Sequence, residues 1–360
     1  MRIALIAPPF IPVPPLKYGG TELFVAHLAE GLKQSGIDVV VYATGDSTVD
    51  VELRSLYSKS EWPLEGEIFG NLKDVNHTTW AIADAVRDCD ILHLNNAPGL
   101  ASSRLIDAPL VYTVHHPHEP ALSEFYGYFP DVQYVAISDF QRSLELMPKR
   151  QTIHHGIRMS DYTFQEKKEP YLCFIGRLAP VKGPHLAIEV AKRTGIPLKI
   201  AGEVQPLFRN YFETQIKPHI DGRFIEYIGE ADLQAKCELL GNSTAMLFPI
   251  QWNEPFGLVM IEAMACGTPV IALKGGSVPE VVRDGVSGYV CNTTDEMVDR
   301  VRNLSIPSGL IREYAAQRFS VDVMVAKYVD LYESIYLERQ PITLSAVDEI
   351  SIAAEPGAAA

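Results

Sequence analysis

Little in this chain would place it in a membrane, outside a cell or on a nucleic acid. Its five cysteines (Cys89, Cys173, Cys237, Cys266, Cys291) are scattered, odd in number and never in C-x-x-C spacing. Neither a disulfide framework nor a cysteine metal site is expected from them. They read as small buried hydrophobes in a reducing cytoplasm. Long apolar runs are missing too: the opening Met1–Ala7 is cut short by Pro8, Pro9, Pro12, Pro14 and Pro15, so it reads as neither signal peptide nor membrane segment. Positive charge is in deficit. With 31 Lys and Arg against 45 Asp and Glu, the net charge of −14 argues against a nucleic-acid partner and offers no general attraction to anionic lipid. The dinucleotide fingerprint G-x-G-x-x-G is lacking, and no D-x-D pair is placed to hold a metal. What is present is 47% hydrophobic and 21% charged over 360 residues. That is the mixture of a soluble globular enzyme, long enough for two domains with a core each.

Apolar period and punctuation give an alternating α/β chain. Arg2–Ala7 reads as a buried strand, followed by a proline-rich loop ending in Tyr18-Gly19-Gly20. Thr21 is positioned to cap a helix whose Phe24, Leu28 and Leu32 recur every four residues, and Gly36 closes it before a strand at Val39–Tyr42. Two glycines at a helix start let backbone N–H groups approach a phosphate closely, although a plain turn has the same composition. Asp46–His77 carries few landmarks. A helix at Thr78–Arg87 and strands at Ile91–Leu94, Leu110–Val114, Val132–Ile137 and Gln151–His155 complete a first unit, with Ser138 capping a helix that runs to Leu146. The Leu110 strand leads into Thr113-Val114-His115-His116-Pro117-His118. A histidine at the carboxyl end of a parallel strand faces the crevice where ligands bind. Three histidines in one loop, with no second ligand pair elsewhere, do not make a metal site. His116 and His118 read as surface loop. The polar stretch Gly156–Pro170 reads as a linker.

The alternation restarts at Tyr171–Ile175 and runs into Gly176-Arg177-Leu178-Ala179-Pro180-Val181-Lys182-Gly183. A bidentate guanidinium and an ammonium point charge on such a loop suit a diphosphate; solvated loop cations are the plainer alternative. Strands at Leu198–Ala201, Phe224–Tyr227 and Ala245–Phe248, with helices around Phe208–Ile216 and Ala231–Leu240, lead to the densest stretch, Asn253–Gly288. Glu254 and Glu262 stand eight residues apart there. Pro255 suits the first turn of a helix, with Gly257, Leu258 and Val259 next. The unpaired N–H groups and macrodipole of that turn form an anion site. Glu262 would lie ~9 Å beyond Phe256 along the axis, where its carboxylate can accept from paired hydroxyls. The same letters also suit a buried helix, a glycine stop and a buried strand. Helices at Thr294–Leu304, Ser308–Arg318 and Val321–Leu337 follow, and 341–360 reads as disordered.

E-x7-E followed by G-T-P-V-I-A and G-G-x-x-x-E-x-V resembles the carboxyl-half signature of the family-4 retaining glycosyltransferases. G-R-x(4)-K-G at Gly176–Gly183 and T-x-H at Thr113–His115 are similar to that family's motifs as well. The resemblance implies the GT-B fold, two Rossmann-like α/β domains facing across a cleft. Here they would be residues 1–156 with a crossover helix at 320–340, and residues 157–319. It implies transfer of a sugar, with retention, from a nucleotide-diphospho-sugar to an acceptor that is a sugar, a lipid-linked molecule or a small molecule. Arg177 and Lys182 would neutralise the leaving diphosphate, and His115 would contact the sugar from the opposite domain. Glu254 would hold sugar hydroxyls and Glu262 those of the ribose. Gly19, Gly20, Phe256, Gly257, Leu258 and Val259 would cradle the phosphates, and Ile228 and Glu230 would meet the base. No metal and no cofactor are implied. The loop P-P-x-x-Y-G-G-T-E (Pro14 to Glu22) resembles that of a bacterial subgroup. A sugar phosphorylase, a nucleotide-sugar epimerase or a non-catalytic binding module would share the architecture. The two complete motifs together favour the transferase.

Overall fold

The computed structural model describes residues 1–16, 19–61 and 67–339. Its first half lays down β1 (Arg2–Ile6), α1 (Gly20–Gln34), β2 (Asp38–Tyr42), β3 (Glu52–Arg54), α2 (Glu67–Ala85), β4 (Ile91–Leu94), β5 (Leu110–Val114), α3 (Pro120–Gly127), β6 (Gln133–Ala136), α4 (Asp139–Leu144) and β7 (Arg150–Thr152). The second half adds β8 (Glu169–Ile175), α5 (Pro184–Thr194), β9 (Leu198–Ala201), a single turn α6 (Arg209–Tyr211), β10 (Ile225–Tyr227), α7 (Leu233–Asn242) and β11 (Ser243–Phe248). It continues with α8 (Leu258–Ala265), β12 (Val270–Leu273), α9 (Val278–Val281), β13 (Gly288–Cys291), α10 (Thr294–Arg302), α11 (Ser308–Phe319) and α12 (Val321–Arg339).

The strands form two sheets, in the orders β3-β2-β1-β4-β5-β6-β7 and β10-β9-β8-β11-β12-β13, with parallel pairing throughout. Helices cover both faces of a parallel sheet, so its strands are continuous apolar runs; Ile3, Ala4, Leu5 and Ile6 are all fully buried. In each sheet the order reverses beside the first strand, between β1 and β4 and between β8 and β11. The crevice at the carboxyl ends of such strands is where α/β sheets bind ligands.

The last helix does not stay with the second sheet. Val321, Met324, Val325, Tyr328, Leu331 and Tyr332 of α12 share one core with Ile3, Leu5, Phe24 and Leu28. Two of its tyrosines bury their rings and keep their hydroxyls paired. The Tyr332 hydroxyl is 2.6 Å from His93 Nδ1, and the Tyr328 hydroxyl is 2.9 Å from Thr113 Oγ1. The chain thus passes twice between the domains, and the two crossings run side by side. Ile157 N–H donates to Phe319 O at 2.9 Å, and Val321 N–H to Ile157 O at 3.0 Å.

Several expectations need correction. Thr21 does not cap α1: the helix starts one residue earlier, and Gly19 occupies the cap. The presumed linker 156–170 is partly built in, since Tyr162 is buried in the second core and β8 already begins at Glu169. The helix around 208–216 is broken into 3₁₀, α and π turns up to His219, where Pro218 removes a backbone donor. The Asp46–His77 stretch contains β3 and the first half of α2, which starts eleven residues before the expected Thr78. Tyr18 and the 341–360 tail lie outside the described residues. The five cysteines are all buried and unpaired. Among the described residues no helix is long and apolar enough to cross a membrane.

Candidate active site

The loop after β11 carries Glu254, which is almost wholly buried at 5% exposure. Its Oε2 accepts from Lys182 Nζ at 2.6 Å and from Trp252 Nε1 at 2.9 Å, while the ammonium also sits 4.5 Å from the centroid of the Trp252 ring. A buried carboxylate survives when its lone pairs are matched in this way. The backbone of Glu254 is fixed by the turn that follows β12. Ser277 N–H donates to Glu254 O at 2.9 Å, and any Cβ on Gly276 would stand 2.2 Å from that same oxygen. Gly276 also has φ 55°, so two separate constraints demand glycine there.

Lys182 comes from the loop after β8, together with Arg177. Burial lowers the Lys182 pKa, Glu254 opposes that shift, and the nearby Arg177 charge adds to it. The Arg177 guanidinium is half-buried and makes no hydrogen bond to any described residue. Two cations and one carboxylate therefore meet at the switch point between β8 and β11.

Pro255 is not a first-turn residue. Gly257, with φ 80°, caps α8, and the helix begins at Leu258. Glu262 accordingly lies only ~6 Å along the axis from the helix start. The anion-binding geometry falls on Leu258 and Val259, while Phe256 turns inward and is buried. Glu262 is buried too, and its Oε1 accepts from Lys236 Nζ at 2.6 Å and the Tyr162 hydroxyl at 3.0 Å. Ile228 and Glu230 are exposed on the turn after β10, two strands from β8 and hence ~10 Å away.

The first domain brings its own sheet edge to the same place. A methyl group on Gly20 would stand 3.6 Å from Leu258 Cδ1, and the His155 ring meets Phe256 edge-on with centroids 5.4 Å apart. His155 stacks in turn on His115, nearly parallel at 5.4 Å. The Asn95 amide N–H donates to Ile6 O, which directs Asn95 Oδ1 at His115 Nε2, 2.9 Å away. Nε2 therefore carries the proton, and Nδ1 is a lone-pair acceptor, buried and without a partner among the described residues. Burial, with the neighbouring histidines, holds the His115 pKa well below its usual value, so the ring is neutral.

His116 and His118 are not bare surface loop. His116 bonds the Tyr126 hydroxyl at 2.5 Å, and His118 Nδ1 lies 3.1 Å from the buried Glu145. A pocket of about 320 Å³ opens between this loop, α4 and the Trp252–Pro255 segment.

Two further acidic groups are held by partners of their own. Asp88 and Asp90 precede β4, at the opposite end of the sheet, and face Arg2 and Arg54. Asp139, His154 and Glu280 lie close together but are already engaged. Glu280 reaches across the cleft to accept from the Asp139 and Phe140 N–H groups, at 2.8 and 3.1 Å, and lies 3.0 Å from His154 Nε2. It thereby caps α4 from the opposite domain. Sequence reasoning missed the carboxylates' partners Trp252, Tyr162 and Lys236, and missed His155 and Glu280 as bridging groups. Only Glu280 left a trace, as the glutamate of G-G-x-x-x-E-x-V.

Glu22, in the first turn of α1 beside Gly19, is 6% exposed, and burial pushes its carboxyl up to about 7. The folded chain then holds this proton more tightly than the unfolded chain does. Its share of stability is complete below about pH 4.5 and is lost as pH rises through 7. Glu22→Gln should match the parent in urea unfolding near pH 4.5 and exceed it by roughly 2–3 kcal/mol at pH 8. An equal gap at both pH values would show that the carboxyl is not protonated on folding.

Two parallel α/β sheets whose carboxyl edges meet over paired cations and buried carboxylates define a GT-B glycosyltransferase. The model of "Glycosyltransferase Family 4" matches residues 18–150, and that of "Glycosyl transferases group 1" matches residues 160–308. Between them the two models span most of the chain and support a glycosyltransferase of the family-4 type. It is 26% identical to the phosphatidyl-myo-inositol mannosyltransferase of Mycobacterium leprae, over 93% of this chain and 97% of that one. It is 37% identical to the N-acetyl-alpha-D-glucosaminyl L-malate synthase of Bacillus anthracis, over 33% of this chain and 32% of that one. Among solved structures it resembles AviGT4, a glycosyltransferase involved in avilamycin A biosynthesis (TM-score 0.69, 23% identity, 94% and 98% of the two chains). It also resembles Anabaena Alr3699/HepE in complex with UDP and glucose (TM-score 0.72, 18% identity, 93% and 100%).

Proposed function

We propose that the enzyme transfers a sugar, with retention and without a metal, from a nucleotide-diphospho-sugar to a hydroxyl acceptor. The observation that carries this reading is the meeting of Arg177, Lys182 and Glu254 at one switch point, facing His115 across the cleft. Departure of the nucleotide leaves negative charge on the diphosphate, and fixed cations stabilise it most where water is excluded. Arg177 supplies a fork, and Lys182 has N–H donors beyond the one given to Glu254. The start of α8 at Leu258 and Val259, with Gly19 and Gly20 opposite, completes the phosphate cradle. Glu254 then orients hydroxyls of the transferred sugar, Glu262 those of the ribose, and Ile228 and Glu230 border the base. The neutral His115 contacts the sugar from the first domain. No side chain in this set is arranged as a nucleophile for double displacement, which favours attack on the face the nucleotide leaves. The UDP and glucose bound by the Anabaena protein, and the sugar-transfer names of the relatives, support a donor of this class.

A thermal-shift panel over UDP-, GDP-, ADP- and dTDP-sugars tests the reading, because a specific donor stabilises the folded chain by mass action. One nucleotide should stand out; a flat panel overturns the proposal. Turnover with that donor should persist in excess chelator. Complete loss that Mg²⁺ or Mn²⁺ restores would show that the diphosphate needs a metal after all.

A further inference from the structure

Resting on that donor reading, we propose that the pocket between Pro117–Glu119, α4 and Trp252–Pro255 is the acceptor site. We further propose that the part of the acceptor entering it is an uncharged hydroxylated ring, a pyranose or cyclitol without phosphate or carboxylate. The pocket adjoins the reaction centre on both sides. Pro117 is two residues beyond His115, and Glu254 lies between the lining residues Asn253 and Pro255. The Trp252 indole forms a wall and donates to Glu254 at the same time. At about 320 Å³ the space is at the small end of ligand sites and suits a single ring.

Its walls are chemically uneven. Trp252, Phe140, Leu144, Pro117 and Pro255 give flat apolar surfaces that match the C–H faces of a ring. The hydrogen-bonding groups left to read hydroxyls are few. Gln141 is spent, accepting from Ile137 N–H and donating to Val114 O and His116 O. His118 has given Nδ1 to Glu145, and its Nε2 has no partner among the described residues. Glu119 and Asn253 are exposed, and neither side chain bonds to a described residue. No lysine or arginine lines the pocket, and Lys182, which packs against the lining Trp252 ring, is paired with Glu254. A phosphate or carboxylate entering here would lose water, find no cation and face the Glu119 charge. A neutral polyol would instead give its hydroxyl protons to Glu119 and share donors and acceptors with Asn253.

The test titrates the full chain with methyl α-glucopyranoside, methyl α-mannopyranoside and myo-inositol, and in parallel with glucose 6-phosphate, mannose 6-phosphate and myo-inositol 1-phosphate. Binding is followed by ligand-observed NMR and tryptophan fluorescence, and UDP, GDP, ADP and dTDP are titrated into the same samples. At least one neutral ring should bind in the millimolar range, and its phosphate at least tenfold more weakly. Glu119→Lys should shrink or reverse that ratio. Leu144→Trp, which fills the pocket, should abolish ring binding while nucleotide affinity stays within twofold. The proposal is overturned if a phosphorylated ring binds better than its neutral counterpart, if no neutral ring binds, or if both variants bind rings as the parent does. A parent chain that binds none of the four nucleotides would overturn the donor reading itself. Normal nucleotide binding with no ring bound sinks only the acceptor proposal.

Discussion

Lys182→Ala and Arg177→Ala should each lower kcat by about a hundredfold or more, a loss of ~3 kcal/mol in transition-state stabilisation. The expectation follows from where charge grows during the reaction. The donor already carries negative charge in the ground state, but the bridging oxygen gains more as the glycosidic bond breaks. Cations fixed beforehand in a water-poor site favour the later state over the earlier one. Lys182 meets this description best: it is largely buried, held at 2.6 Å by Glu254 and pressed against an indole. Its alanine variant also strips Glu254 of a partner and leaves that carboxylate buried beside the Trp252 N–H alone. Arg177 has no such structural duty, so its substitution is the cleaner experiment. Steady-state kinetics with the donor chosen by thermal shift decides the matter. Normal kcat with a raised KM would mean that the cations bind ground state and transition state equally, and normal values of both would remove them from the site.

The second large effect should split between the domains. His115→Ala is expected to leave nucleoside-diphosphate affinity nearly intact while cutting transfer sharply, and Glu262→Ala to weaken nucleotide binding itself. His115 belongs to the first sheet, its ring fixed by Asn95 and stacked on His155, with one lone pair facing inward. Glu262 sits on α8 among second-domain partners, Tyr162 and Lys236. Its removal strands a lysine that is three-quarters buried, so Glu262→Gln should accompany it to separate lost recognition from a disturbed core. Calorimetry on all three variants reads the outcome. If His115→Ala loses nucleotide affinity as severely as Glu262→Ala, the division of labour between the sheets is wrong.

Most strands could be read from the sequence to within two or three residues, although β3 and β13 were not. Ile91–Leu94, Leu110–Val114 and Leu198–Ala201 fall where their apolar runs place them, because a parallel strand covered on both faces has no polar side to blur its ends. The loops at the switch points were legible for a related reason: His115, Arg177, Lys182 and Glu254 all follow a strand. Less legible was anything decided by a distant partner. Nothing near Glu262 announces Tyr162, and nothing near Glu254 says that the indole two residues earlier will turn back onto it. The start of α8 was misjudged because Pro255 has good first-turn chemistry, whereas Gly257 at φ 80° ends the approach and sets the true boundary. The weak periodicity before His77 hid half of α2, whose outer face exposes Ile68, Phe69 and Leu72 and so breaks the usual polar pattern.

The return of α12 to the first sheet also has a bearing on how the protein is made. The face of α1 that carries Phe24, Val25 and Leu28 is closed in part by Val325, Tyr328 and Tyr332. Those residues leave the ribosome about 175 positions after the first domain's last strand. At synthesis rates of roughly 5–20 residues per second, that is a delay of about nine to thirty-five seconds. Throughout it the first domain has its sheet but not its lid, and His93 and Thr113 still lack their tyrosine partners. The second domain, whose core needs nothing from residues before 137, can finish first. The half of the enzyme that is translated first is therefore the half that is completed last.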